Sequence, residues 1–126
     1  MKYSVNKDEL YTVLRVEDQN IDSVNAPQLK SKLVLFFNEG VENLILDMGD
    51  IEYVDSSGLS AILTGHRLWR DSGLFIICHA KHQAVRRLIE ISKLDQILTI
   101  IPTLDESIDY VMMEKLEQEF LNEEEE

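Results

Sequence analysis

Several features that define other protein classes are scarce or missing in this sequence. The only cysteine, Cys78, leaves no disulfide framework and is typical of a cytoplasmic protein. It lies within the apolar run GLFIICHA, which predicts a buried structural thiol. No apolar run approaches the length of a membrane span, and the first ten residues, MKYSVNKDEL, lack the apolar core of a signal peptide. These absences predict a soluble protein without membrane insertion.

Basic side chains are also few. The sequence has 12 Lys and Arg residues against 24 Asp and Glu residues, which gives a formal net charge of −12. A surface of this sign repels phosphate backbones and anionic lipid headgroups, which argues against direct binding of DNA, RNA or a membrane. Half of the net charge lies in residues 114–126, EKLEQEFLNEEEE. We therefore expect a domain over residues 1–112 and an acidic C-terminal helix extension over residues 113–126, frayed at its end.

The patterns of common catalytic and cofactor sites are missing as well. The sequence has no Gly-rich phosphate loop, paired metal ligands or dinucleotide fingerprint, so we expect no metal and no cofactor. A serine nucleophile needs a base, and His66 lies roughly 13 Å from Ser57 along the same predicted helix. His79 and His82 flank the end of a predicted strand and could approach the same sheet edge. The Gly-x-Ser-x-Gly form of a nucleophile elbow is absent, and the sequence predicts a protein that is not an enzyme.

Short apolar strands alternate with amphipathic helices along the chain. The segments LYTVLRVE, VENLILDM and GLFIICHA are rich in Val, Leu and Ile and predict strands. Each is followed by a segment with apolar residues at helical spacing. In the last helix this spacing predicts inward-facing side chains at Ile108, Val111, Met112, Leu116 and Phe120. The alternation predicts a single α/β domain with a mixed sheet.

The segment YVDSSGLSAIL, residues 53–63, lies where a predicted strand passes into a predicted helix. Such turns carry exposed functional residues in α/β sheets. Ser56 or Ser57 can cap the helix, and the carboxylate of Asp55 is favoured by the helix dipole. A single capping side chain is sufficient, so the second hydroxyl and the neighbouring acid are unexplained. Three interpretations compete for this segment: a catalytic nucleophile, a helix cap, or a site where charge is added and removed. The missing nucleophile elbow disfavours the first, and the unexplained second hydroxyl and acid keep the third open beside the cap.

Three segments of the chain resemble one protein family in order and spacing. DSSGL, between LILDMGDIEYV and SAILTGHRLWRDSG, resembles the phosphorylation segment of the anti-sigma-factor antagonist family, whose fold is the STAS domain. DSVNAPQLKSKL resembles the start of that family's first helix, and GLFIICHAKHQAVRRLIEISKLDQILTI resembles its later strand, helix and short strand. The resemblance extends over roughly residues 8–112. It implies a mixed sheet of about four to five strands, with about four helices packed mainly on one side.

The resemblance also implies a phosphorylation site. Ser56 is the implied phosphoryl acceptor, and Ser57 is a secondary candidate. The implied partners are an anti-sigma factor that is a serine kinase, which itself binds ATP and Mg²⁺, and a serine phosphatase. The residues implied to bind the partner are Asp22, Asn25, Asp55, Ser56, Ser57, Gly58 and Leu59.

The implied function is partner switching in a bacterial cytoplasm. The unphosphorylated protein would bind the anti-sigma factor and release a sigma factor. A phosphate on Ser56 would add about −1.5 to −2 charges beside Asp55 and Asp22 and abolish binding. Gly58 would let the backbone of the partner come close and let the turn adopt an otherwise strained conformation. Simpler interpretations exist for Gly58, which can serve ordinary turn chemistry alone, and for Asp22 and Asn25, which can act as helix caps alone. The alternative function is a STAS scaffold or subunit that supports a transporter or signalling complex without switching.

Overall fold

Seven strands cross the described part of the chain and form two sheets. They are β1 Tyr3–Lys7, β2 Thr12–Val16, β3 Asn20–Ile21, β4 Asn43–Asp47, β5 Tyr53–Val54, β6 Leu74–Cys78 and β7 Thr99–Ile101. Five of them form a mixed sheet in the spatial order β1-β2-β4-β6-β7, in which β1 and β2 are antiparallel and the pairs β2–β4, β4–β6 and β6–β7 are parallel. A parallel two-stranded sheet, β3–β5, lies apart from it. The structure is a computed structural model that describes residues 1–125, so Glu126 of the expected acidic extension lies outside the described residues.

Four α-helices connect these strands or follow them. They are α1 Ala26–Asn38, α2 Ser56–Trp69, α3 Gln83–Ile91 and α4 Leu104–Glu125, and a 3₁₀ turn at Leu94–Gln96 follows α3. Among the helices described, none combines the length and the apolar composition needed to span a bilayer.

The sheet has a core on each face. The larger core lies under α1, α2 and α3 and contains, among others, Leu14, Leu33 and Ile62. The smaller core lies under α4 and joins Val111 to one face of β2, β4 and β6. Strands β4 and β6 are buried on both faces, which explains their continuous apolar sequences. The predicted α/β domain, with its mixed sheet and its helices mainly on one side, is confirmed.

Trp69 packs the C-terminal end of α2 against the larger core. Its ring stacks on Phe75 with 5.8 Å between ring centroids and meets Phe37 edge-on at 5.4 Å. Its Nε1 donates a hydrogen bond of 2.9 Å to the carbonyl oxygen of Val41. The indole is 2% exposed, so the packing and the polar contact are both shielded from water.

The inward direction predicted for three residues of α4 is wrong. Met112, Leu116 and Phe120 are 46%, 59% and 61% exposed, whereas Val111 is buried and Ile108 packs against the smaller core. Strand β4 has only five residues, so its face supports about three turns of helix. The helix continues beyond the sheet, and its later apolar residues are left exposed in the described part of the chain.

The core position of Trp69 leads to a stability prediction. We expect Trp69→Ala to lower the free energy of unfolding by about 3–5 kcal/mol, because it removes both aromatic contacts and leaves a cavity. Phe120→Ala is the matched control at an exposed aromatic residue and should change stability by less than about 0.5 kcal/mol. Urea unfolding measures both losses. It is followed by circular dichroism, because Trp69 is the only tryptophan and its removal leaves no tryptophan fluorescence to follow. Equal losses in the free energy of unfolding for the two variants would contradict the core position of Trp69.

Candidate functional site

Helix α2 begins immediately after β5 and is capped by Asp55. The backbone of Asp55 is extended, with φ −95° and ψ −173°. The Oδ1 atom of Asp55 accepts a hydrogen bond of 2.9 Å from the backbone N–H of Gly58. The prediction that Ser56 or Ser57 makes this cap is wrong. A capping side chain belongs to the residue just before the first helical position, and α2 already begins at Ser56. Ser56 and Ser57 are therefore the first two residues of the helix.

The residues of this first turn differ in their exposure. Ser56 is exposed, whereas Asp55, Ser57 and Leu59 are half-buried. Leu59 packs against the larger core. Ser56 is thus an exposed serine in the first turn of α2, and the cap of that helix is made by its neighbour Asp55.

Gly58 is needed for a close contact within the chain. A Cβ atom at this position would lie 2.3 Å from the carbonyl oxygen of Ile21 and 2.8 Å from Cγ1 of Val54. Gly58 is buried, lies within α2, and is not among the residues with positive φ. The expected strained turn conformation is therefore wrong, and the glycine is explained by the approach of α2 to β3. Its role in partner binding stays a prediction.

The turn before α1 is braced by Asp22 and Asn25. Asn25 occupies the N-cap position, but its side chain makes no capping hydrogen bond, so that expectation is wrong. Its Oδ1 accepts from the backbone N–H of Asp22 at 2.9 Å, and its Nδ2 donates to the carbonyl oxygen of Asn20 at 2.7 Å. Asp22 Oδ1 accepts from the N–H of Val24 at 3.0 Å. These bonds order the loop itself and leave the helix end free of a side-chain cap.

Pairing of β3 with β5 brings the two turns together. Ile21 lies opposite Val54 in this parallel pair, so the next residues, Asp22 and Asp55, leave adjacent strands at the same level. The backbone N–H of Asp55 donates to the carbonyl oxygen of Ile21 at 3.2 Å. The structure thus places two of the sequence-predicted acids beside the exposed Ser56.

Sequence reasoning missed three residues around this surface. Val24 is 84% exposed and Tyr53 is 53% exposed, and each is a large apolar side chain in one of the two turn regions. Lys30 is the only basic residue lining a groove of about 330 Å³ between α1 and α2. Two features of the sequence could have indicated these residues. Val24 is an isolated apolar residue in the polar run DSVNA, and Lys30 follows Ala26 at helical spacing. The groove is lined by Ser23, Ala26, Pro27, Lys30, Ser56, Ser57 and Ser60.

A second polar cluster lies under the start of α4. Asp47 Oδ1 accepts from the backbone N–H of Gly49 at 2.9 Å and lies 3.0 Å from Nδ1 of His79. The other ring nitrogen of His79 accepts from the backbone N–H of Leu104 at 3.3 Å. Both ring nitrogens are thus engaged, and His79 links β4, β6 and the first residue of α4. His79, one of the two histidines expected to approach the sheet edge near Ser57, therefore has a structural role.

This cluster offers three metal-ligating side chains but favours a structural function. Donor atoms of Asp47, Cys78 and His79 lie within 4.8 Å of one another. The guanidinium of Arg15 lies 3.8 Å from the second oxygen of Asp47 and would repel a cation there. Burial, together with the Asp47 carboxylate, raises the pKa of the Cys78 thiol to about 12, so the thiol is protonated near neutral pH. The thiol is buried, as predicted.

Comparisons with known proteins agree with this fold. A family model described as STAS domain matches residues 2–107. The chain is 33% identical over 73 residues to a protein of Bordetella bronchiseptica named putative anti-sigma factor antagonist BtrV. That match covers 57% of this chain and 62% of the relative, so the chain spans less than two thirds of the relative's length.

Solved structures give matches over a larger part of the chain. An anti-sigma factor antagonist from Mycobacterium paratuberculosis matches with a TM-score of 0.77 and 27% identity, over 88% of this chain and 93% of that one. The phosphorylated form of the Bacillus cell fate determinant SpoIIAA matches with a TM-score of 0.66 and 20% identity, over 87% of this chain and 99% of that one. The second likeness concerns the fold alone.

The contact at Gly58 leads to a prediction with a definite sign. Helix propensity alone would make Gly58→Ala stabilising by about 1 kcal/mol. Because the new methyl group would meet the backbone of Ile21, we expect instead a loss of roughly 1–3 kcal/mol in the free energy of unfolding. Urea titration measures it, and Ser57→Ala, in the same turn and outside the cap, should change stability by less than about 0.5 kcal/mol. A stabilising Gly58→Ala would contradict this account.

Proposed function

The chain belongs to the STAS domain family, and from this membership we propose that it is an anti-sigma factor antagonist that switches partners through Ser56. The unphosphorylated protein binds an anti-sigma factor and thereby releases a sigma factor. The anti-sigma factor is a serine kinase that binds ATP and Mg²⁺ and phosphorylates Ser56, and a serine phosphatase reverses the modification. The protein itself acts in the cytoplasm as a substrate and binding module, without catalysis or a cofactor of its own.

The observation that carries this proposal is the exposed hydroxyl of Ser56 beside the Asp55 cap. A hydroxyl occupied with capping would be a poor acceptor, because phosphorylation would remove a bond on which the helix depends. Here Asp55 makes the cap, so Ser56 is free to react without loss of that bond. The serine that the resemblance designates is also the more exposed of the two candidates.

A phosphate on Ser56 is compatible with the fold. Free backbone N–H groups and the helix dipole at the start of α2 favour negative charge there. Lys30 lines the same groove as Ser56 and supplies the one positive charge on its walls. The modification therefore leaves the domain folded and changes only the surface it presents.

The effect of the phosphate falls on the partner surface. Asp55 and Asp22 already place two carboxylates where β3 and β5 end. Phosphorylation adds about −1.5 to −2 charges beside them, together with a bulky group on an otherwise exposed side chain. An acidic or closely packed partner face is repelled by this change, and Asp22, Asn25, Ser57, Gly58 and Leu59 complete the proposed partner surface.

The proposal is tested by substitution at Ser56. A purified serine-kinase anti-sigma factor from the same organism, with ATP and Mg²⁺, should phosphorylate the wild-type protein and Ser57→Ala but not Ser56→Ala. Ser56→Asp should bind that kinase at least about tenfold more weakly than the wild type, because it adds a charge at the interface. Isothermal titration calorimetry measures the affinity, and circular dichroism verifies the fold, which an acid in the first turn favours.

Two results would contradict partner switching. One is phosphoryl transfer to Ser56→Ala with the same efficiency as to the wild type. The other is unchanged binding of folded Ser56→Asp, which would assign Ser56 a structural role and favour a STAS scaffold that does not switch.

A further inference from the structure

The second half of α4 presents an apolar stripe to solvent. Met113, Leu116 and Phe120 are 66%, 59% and 61% exposed and follow one another at spacings of three and four residues. This spacing places them on one face of the helix. We call these three residues the α4 stripe. Three large apolar side chains in a row on a free helix face are typical of a binding surface rather than of scattered exposure.

The α4 stripe lies on the opposite side of the helix from the sheet. Leu104, Ile108 and Val111 of the same helix pack against the smaller core. At 3.6 residues per turn, the centre of the α4 stripe is roughly 150° around the helix axis from the centre of that packed face. The helix is thus apolar on two opposed faces, and only one of them is covered within the described part of the chain.

The helix also extends well beyond its last buried residue. Among the α4 residues whose burial the structure describes, that residue is Val111, and the helix continues to Glu125, about 21 Å further along its axis. Isolated helices of this length are marginal in water, because their stability comes mainly from packing of an apolar face. A partner seated on the α4 stripe would supply the packing that the sheet does not.

Charge identifies the class of partner. Over its 22 residues α4 carries nine acidic side chains and one lysine, Lys115. Glu117 and Glu119 flank Leu116 and Phe120 on the two sides of the α4 stripe. A second copy of the chain would bring these carboxylates against one another, which is unfavourable. A helix with apolar residues between rows of Lys or Arg satisfies both the apolar face and its acidic borders.

We propose that the α4 stripe binds a basic amphipathic helix of another protein. This surface is separate from the one around Ser56, because α4 packs on the sheet face opposite to α2. The protein therefore has two independent interaction surfaces. A partner on α4 remains bound whether or not Ser56 carries a phosphate, so the protein can stay attached to one partner while it exchanges the other.

The test uses a synthetic helical peptide as the probe. The peptide has Leu at its a and d heptad positions and Lys at the flanking e and g positions, and fluorescence anisotropy measures its binding to the full chain. Two control peptides separate the contributions: one replaces each Lys by Glu, and the other replaces each Leu by Gln. We expect the Leu/Lys peptide to bind at least about tenfold more tightly than either control, and more weakly as salt rises.

Variants of the protein locate the binding surface. The double variant Leu116→Ser/Phe120→Ser should weaken binding of the Leu/Lys peptide at least about tenfold, because it removes two apolar anchors. Val34→Ser/Leu35→Ser is the matched control on α1, where both side chains are also exposed, and should bind as the wild type does. Ser56→Asp should also bind normally. Circular dichroism and urea unfolding verify that the variants keep the fold.

Several outcomes would overturn the proposal. The first is either no binding of the Leu/Lys peptide by the wild type or equally strong binding by the Leu116→Ser/Phe120→Ser variant. The second is equal binding of the Lys and Glu peptides, which would remove the charge argument. The third is a dimer in sedimentation velocity that the double variant abolishes, which would make a second copy the occupant of the stripe.

Discussion

The contact between Gly58 and the carbonyl of Ile21 is the constraint on which the candidate site depends. Without a side chain at Gly58, the first turn of α2 can lie directly against β3. The helix begins beside this contact, with Asp55 as its cap and Ser56 as its first residue. The same carbonyl of Ile21 accepts a hydrogen bond from the backbone N–H of Asp55, and the register of β3 with β5 places Asp22 and Asp55 at one level. The end of β3, the cap of α2 and Ser56 therefore meet around the carbonyl of Ile21.

The two faces of the sheet serve different purposes. The face under α1, α2 and α3 supports the Ser56 surface, and Trp69 fixes the far end of α2 there. The other face carries α4, whose first residue is tied by His79 to Asp47 at the end of β4. The side chains of that second cluster have structural roles, because the Asp47 carboxylate and the His79 imidazole contact each other and the Cys78 thiol is buried.

Sequence patterns predicted the fold well because its central strands are continuous apolar runs between helices with clear apolar spacing. They did not predict β1, whose sequence YSVNK is largely exposed and polar. They also did not identify β3, because a two-residue strand is too short to show a period. Its pairing with β5 brings Asp22 and Asp55 together, a proximity that the family resemblance implied but that the sequence pattern alone did not show.

Side-chain direction was the other quantity that the sequence did not determine. A capping role for Asn25 and for Ser56 or Ser57 was reasonable by residue type. The side chain of Asn25 instead accepts from the backbone N–H of Asp22 within the loop, and Asp55 makes the cap of α2 in place of either serine. In α4 the spacing identified apolar positions correctly. It assigned Met112, Leu116 and Phe120 to the core because a periodic pattern does not reveal where the supporting sheet ends.

The central claim is that Ser56 is phosphorylated in the cell. The most direct measurement is intact-mass and peptide mass spectrometry of the protein isolated from its own cells under several growth conditions, before and after phosphatase treatment. We expect a phosphatase-sensitive phosphoryl group on the peptide that contains Ser56, with fragment ions that place it on that residue. A phosphate confined to another residue, or no phosphate under any condition, would contradict it.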